Sequence, residues 1–270
     1  MQSARLKNII IIILARVNLF LIGSLAARQR AQQDAQKRLQ EQLVALFAAD
    51  AVTLPVDAIS FQQPPVGGTL VRDVELDRAM ASYLLGENLT YSDQGGGIYA
   101  YESDRGAAIF RSNGSFDATV LGFAQPNDAA ILADNLCKTY GYRNHVSDNL
   151  SQTEFTGTAV RSFNGYPVNG CTLSFHYLDG VLSVSGTVLP DSLAISGSAV
   201  EPLSATSALT AFLTARRESG AVVSAVEHMY PCYELQSTAA SAMTLTPSWC
   251  IGTDSGSYYV NCYSGAVTRS

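Results

Sequence analysis

The sequence predicts an α+β protein: a single N-terminal transmembrane helix, then repeated extracytoplasmic units, each a helix laid on an antiparallel sheet. Three observations carry this. A long apolar run opens the chain, a polar helix-forming stretch continues it, and helix and strand patterns then alternate three times.

Residues 8–27 are apolar except for Asn8 and Ser24 near the ends and Arg16 and Asn18 near the middle. Twenty helical residues span about 30 Å, the thickness of a bilayer's hydrocarbon core. Seven residues precede the run, so the reading is a cytoplasmic tail at 1–7, a membrane helix at 8–27 and a folded domain outside. A cleaved signal peptide competes with it, because Arg5 and Lys7 precede the run and Ser24-Leu25-Ala26 resembles a small-residue cleavage site. The length of the run, the arginine inside it and its continuation into helix-forming sequence favour a retained anchor.

Arg28, Arg30, Lys37 and Arg38 outnumber Arg5 and Lys7, so the distribution of basic residues does not set orientation. Composition does so better. After Arg38 the chain carries ten basic and twenty-two acidic residues, with Lys138 its one lysine. It is rich in Ser, Thr, Gly and Tyr and holds all five cysteines, as fits an exported domain. The acidic balance excludes a nucleic-acid-binding face.

A juxtamembrane helix is expected over 28–52, with Leu39, Leu43, Leu46 and Phe47 forming an apolar face from about its midpoint. That face either docks on the chain's own domain or meets a partner helix. Residues 53–69, with Pro55, Pro64-Pro65 and Gly67-Gly68, read as a linker containing one short strand near 56–61.

The first α+β unit, 70–125, has a helix at 71–85 closed by Gly86. Strands follow at 97–101, 107–110 and 115–122, with a hairpin turn at Asn113-Gly114. The second, 126–201, opens at Pro126 with a helix capped by Asn127 or Asp128 and stopped by Gly141. Its strands, 155–163, 165–168, 171–177 and 181–189, are punctuated by Asn164-Gly165, Asn169-Gly170 and Asp179-Gly180. The third, 202–270, has a helix capped by Ser204 and ended by Gly220, then strands at 222–235, 243–246, 249–253 and 258–263.

Motifs for catalysis and cofactors are missing. His145, His176 and His228 lack metal-ligand spacing, and no nucleophile elbow, zincin, phosphate-loop or kinase signature occurs. Asp73, Glu75 and Asp77 suit the start of a helix, and Gly95-Gly96-Gly97 precedes a strand, so it is a loop and no phosphate cradle. The chain is therefore read as a non-enzyme with no cofactor or metal. Cys250 and Cys262 oppose one another only in a final hairpin centred on Gly256, where a disulfide fits; a neighbouring register leaves both thiols free. Arg16, Gly23 and Ala27 share one helical stripe, and Gly23 and Ala27 form a small-x-x-x-small pair that admits a second helix. With Leu39 and Leu43 they are the candidate partner contacts.

Three stretches carry a family resemblance. The anchor includes Asn18-Leu19-Phe20-Leu21. The middle unit holds Phe163-Asn164-Gly165-Tyr166-Pro167-Val168 and Leu173-Ser174-Phe175-His176-Tyr177-Leu178-Asp179-Gly180-Val181. The tail reads Pro247-Ser248-Trp249-Cys250-Ile251, then Gly256-Ser257-Tyr258-Tyr259-Val260-Asn261-Cys262-Tyr263-Ser264-Gly265-Ala266-Val267. Together they resemble the YycI branch of the YycH/YycI proteins, membrane-anchored accessories of the WalK-type sensor histidine kinase of Gram-positive bacteria. The Tyr-rich ending is also similar to PepSY-like domains.

This resemblance implies an extracytoplasmic regulator that modulates the sensor kinase of a wall-controlling two-component system by protein contacts, alongside a YycH-like co-regulator. Cys250, Cys262 and Arg16 depart from the pattern. Two other readings stand beside it: an anchored PepSY-like module binding a peptidase or wall ligand, and a wall hydrolase of unrecognised type.

Overall fold

A single helix, α1 (Gln2–Ala49), takes up the first fifth of the chain, which contains no proline before Pro55. The structure, a computed structural model, describes residues 2–149, 153–195, 201–237 and 242–269. Among the described residues no helix is long and apolar enough to cross a membrane. The side chains of residues 1–15, where the expected membrane run begins, lie outside the described residues.

In chain order there follow β1 (Gly68–Val71), α2 (Val74–Leu85), β2 (Thr90–Gly95), β3 (Ile98–Ser103), β4 (Gly106–Phe110) and β5 (Ser115–Val120). Next come α3 (Pro126–Thr139), β6 (Tyr142–Asn149), β7 (Glu154–Phe163), β8 (Tyr166–Leu178), β9 (Val181–Thr187) and β10 (Ala194–Ile195). The chain closes with α4 (Ala205–Ser219), β11 (Val226–Ser237), β12 (Ala242–Thr253), β13 (Gly256–Asn261) and β14 (Val267–Arg269).

The class is α+β, with a mixed sheet ordered β10-β1-β12-β11-β8-β9-β5-β4-β3-β2; β7 and β6 branch from β8, and β13 and β14 from β12. Among the described residues all pairings between named strands are antiparallel except β8 with β11, which meet in parallel at Val168↔Tyr233 and Asn169↔Glu234. Two antiparallel sheets are thus joined by a two-residue seam. The seam has a local cause. Asn169-Gly170, expected as a turn, lies within β8. Gly170 sits at φ 81° while the β7–β8 register slips between Val160 and Ser162. The bulge releases Val168 and Asn169 from β7 and turns them towards β11.

The strand expected near 56–61 is instead a 3-10 turn, Val56–Ala58, started by Pro55, whose carbonyl accepts from Ala58 N. α2 begins at Val74 because Asp73 caps it, accepting from Glu75 N at 3.0 Å. Leu70 and Val71 belong to β1, paired with Met243 and Ala242. In α3 the cap is Gln125, because Pro126 takes the first helical position where its missing N–H costs nothing. Ser204 and Gly220 bound α4 as expected, Gly220 in the left-handed conformation at φ 65°.

Two hydrophobic cores result. The larger lies between α2, α3 and the β2–β9 sheet, with Phe110, Phe116, Phe155 and Leu173 fully buried. It also takes in Leu70, Met243 and Leu245 from the other sheet. The smaller joins the end of α1 and its exit, residues 43–59, to α4, β12 and β13 around Phe47, Phe212 and Trp249. β1 and β12 reach across the expected unit boundaries, so the three stretches share one sheet.

Candidate functional site

Leu43 and Phe47 lie one turn apart on α1 and bury against α4, Leu43 at 4 % exposure and Phe47 at 0 %. Phe47 stacks on Phe212 with centroids 6.2 Å apart, and Phe212 meets Tyr258 edge-on at 5.0 Å. After α1 the chain enters the small core directly. Val52 and Leu54 are buried, and Thr53 forms a parallel bridge with Ala225 through Thr53 N to Ser224 O at 2.8 Å and Val226 N to Thr53 O at 2.9 Å. An ion pair, Arg217 Nε to Asp50 Oδ2 at 2.6 Å, ties α4 to the end of α1 at the surface. The guanidinium holds the Asp50 carboxyl below its ordinary value.

The candidate partner contacts therefore separate into two groups. Leu43 is no free contact: the apolar face docks on the chain's own domain, because α4 presents Leu209 and Phe212 to it. Leu39, one turn earlier, is 40 % exposed. Arg16, Gly23 and Ala27 are all exposed, and a Cβ added at Gly23 would meet nothing within 4 Å. Around them Val17, Phe20, Leu21, Ile22 and Leu25 are also exposed, a concentration of large apolar side chains that water does not favour on a helix surface.

The last hairpin takes the register that leaves the thiols apart. Cys250 pairs with Tyr259 and Ser248 with Asn261, around a two-residue turn at Asp254-Ser255. Cys262 lies three residues beyond Tyr259, so it points to the opposite face of the sheet from Cys250. It joins the small core, while Cys250 lies on the other face among Tyr230, Tyr259 and Cys232. All five cysteines are free and buried. Burial pushes the thiol of Cys137 up to about 11 and those of Cys171 and Cys262 up to about 12, and it raises Cys232 and Cys250 as well. Thiols so held remain protonated at neutral pH and are poor nucleophiles. His176, on β8, is half exposed and contacts Glu154 at 3.0 Å through Nε2.

The sequence reading missed a polar knot at the start of α2. Arg72 donates from Nε and Nη2 to Asp77 Oδ2 at 2.9 and 2.6 Å and from Nη1 to Gly97 O at 2.5 Å, and its guanidinium covers the Tyr99 ring at 4.9 Å. Both charged side chains are buried, at 7 % and 3 % exposure. Burial pushes the Asp77 carboxyl up to about 6 even though Arg72 pulls the other way. The knot pins the β2–β3 hairpin to α2. Gly97 is confined to glycine there: its φ is +75° and an added Cβ would lie 2.8 Å from Ser112 Cβ. Beside the knot, α2 and β2 enclose a cavity of about 420 Å³ lined in part by Glu75, Arg78, Glu87, Tyr91 and Tyr101. The signal in the sequence was an arginine five residues before an aspartate on the apolar side of a helix, which local periodicity assigns to the helix dipole.

No family model matches the chain, and no curated protein matches it. Among solved structures, it is similar to the crystal structure of an uncharacterized protein from Eubacterium rectale, with a TM-score of 0.48 and 12 % identity over 81 % of this chain and 90 % of that one.

Proposed function

We propose that the chain is an extracytoplasmic regulatory protein, held in the cell membrane by residues 8–27 with its N-terminus cytoplasmic. In this reading it modulates the sensor histidine kinase of a wall-controlling two-component system through protein contacts. The observation that carries the reading is the course of α1. One helix carries the exposed apolar side chains of Val17, Phe20, Leu21, Ile22 and Leu25 and, without a break, ends inside the small core at Leu43 and Phe47. Such a helix couples its membrane portion to the domain mechanically, because no slack linker intervenes.

The identity of the kinase rests on the resemblance to YycI-like proteins. Arg16 has a cost of about 2.5–3.5 kcal/mol at a bilayer centre, which favours a site facing another helix over one facing lipid. In the proposed complex Arg16, Gly23 and Ala27 meet the kinase's membrane helix.

The test is co-purification in detergent of the full chain with a co-expressed WalK-type sensor kinase. Arg16→Leu should insert as well as the parent and lose the kinase. Retention of the kinase by that variant, with normal regulation, moves the contact to the outer domain. A domain protected from protease in intact protoplasts, or a mature N-terminus near residue 27, rejects the anchor.

A further inference from the structure

We infer that the free edge of β2 and the cavity beside it form a docking site for an extended peptide segment of a partner protein, with a lysine or arginine of that segment seated between β2 and α2. The inference does not depend on the kinase reading.

Among the described residues β2 pairs with β3 alone, and all six of its residues are exposed. Its sequence, Thr-Tyr-Ser-Asp-Gln-Gly, contains neither lysine nor proline, the residues that ordinarily blunt a sheet edge. The one register shift, between Asp93 and Gly95, lies at the turn end and leaves Thr90 to Asp93 regular. Such an edge offers main-chain donors and acceptors to an added strand, and the alternation of side chains sends every second one of that strand towards α2.

The cavity lies on that side. Tyr91 and Tyr101 are direct cross-strand partners with ring centroids 5.5 Å apart, and they form its aromatic wall. Glu75, Arg78 and Ser82 follow i, i+3, i+7 spacing on α2 and form the opposite wall, with Glu87 from the loop after the helix. Asp93 is on the same face as Tyr91, two residues on; desolvation first, and then the Asp93 charge, raise the Tyr91 hydroxyl's pKa. Two lining carboxylates and two aromatic rings against one guanidinium favour a cationic side chain, through charge and through the ring faces, and Asp93 adds a further negative charge on the Tyr91 face. The site is built in advance, because the Arg72–Asp77–Gly97 contacts fix the hairpin on α2.

The probes are two acetylated hexapeptides, Thr-Val-Lys-Val-Thr-Val and the same peptide with glutamate for lysine, added to the full chain in detergent. Binding is read by fluorescence polarisation and by amide hydrogen exchange. The lysine peptide should bind at least about tenfold more tightly, and it should protect β2 amides while leaving the β14 edge unchanged. The exposed substitutions Glu75→Lys and Glu87→Lys together should abolish that preference, and Tyr91→Ala should weaken binding several-fold. Equal affinity for the two peptides, protection away from β2, or no binding of the lysine peptide overturns the inference.

Discussion

The core beneath α2 and α3 is assembled largely from neighbours in sequence, a meander in which β3, β4 and β5 each pair with the strand before. The core beneath α4 gathers residues 43–59 with residues 205–262, and its central stack, Phe47 on Phe212 on Tyr258, draws from three distant parts of the chain. The first kind of core closes short loops. The second closes a loop of about 165 residues between Phe47 and Phe212, which costs more chain entropy. The difference is structural: the local core is a scaffold, and the distant one is where the end of α1 is anchored.

The largest test of this division is Phe47→Ala. Removing a fully buried aromatic should cost about 3–5 kcal/mol. The loss should appear as faster amide exchange and proteolysis in α4 and β13, with protection in β4, β5 and β9 unchanged. Equal loss in both regions would make the cores one cooperative unit.

Next comes Arg72→Met in the scaffold, which leaves Asp77 buried without its guanidinium partner. It should cost about 3 kcal/mol at pH 8, with most of the loss restored by adding Asp77→Leu. Urea titrations of the two variants decide this.

Acidification should move the cores in opposite directions. Asp77 binds its proton more tightly folded, at about 6 against an ordinary 3.8, so the scaffold gains stability as pH falls between those values. Asp50 is held low by Arg217, so its contribution is present above the ordinary value of 3.8 and is lost as pH falls below that value through the lower folded one. Exchange measured from pH 7 to pH 4 should show the first trend, and Asp77→Asn should flatten it. Asp50→Asn should have the smallest effect, leaving the melting temperature at neutral pH nearly unchanged and removing the added acid sensitivity of the small core. In the native protein all five thiols should resist alkylation, and after denaturation without reductant all five should react, as counted by mass spectrometry.

Much of the fold was legible in the sequence because many of its signals are local. Asn164-Gly165 and Asp179-Gly180 form tight turns with both residues at positive φ, and Ser204 and Gly220 bound α4. What escaped depended on distant partners. β1 reads as the end of a linker and the start of a helix, because its four residues become a strand only against β10 and β12. β2 has no buried residue at all, so it lacks the alternation that announces a strand. Of the candidate contacts, Leu43 was visible as part of an apolar face, yet nothing local distinguishes a face that meets the chain's own α4 from one that meets another protein. The disulfide turned on a hairpin register that two turn geometries allow and the sequence alone leaves open.

Because α1 is unbroken, it fixes an angle as well as a distance. Arg16 and Leu43 are ~27 residues apart, which at about 100° per residue places them on opposite sides of the helix and about 40 Å apart along its axis. Gly23 and Ala27 share the Arg16 side, so a helix packed on that stripe approaches from the side facing away from α4. Lengthening α1 by two residues within 30–36 would swing the domain through about 200° about the helix axis, whereas seven residues would return it to within about 20° of its starting phase. The chain's first helix thus behaves as an indexed shaft, whose length in residues sets which flank of the domain lies in phase with the Arg16 stripe.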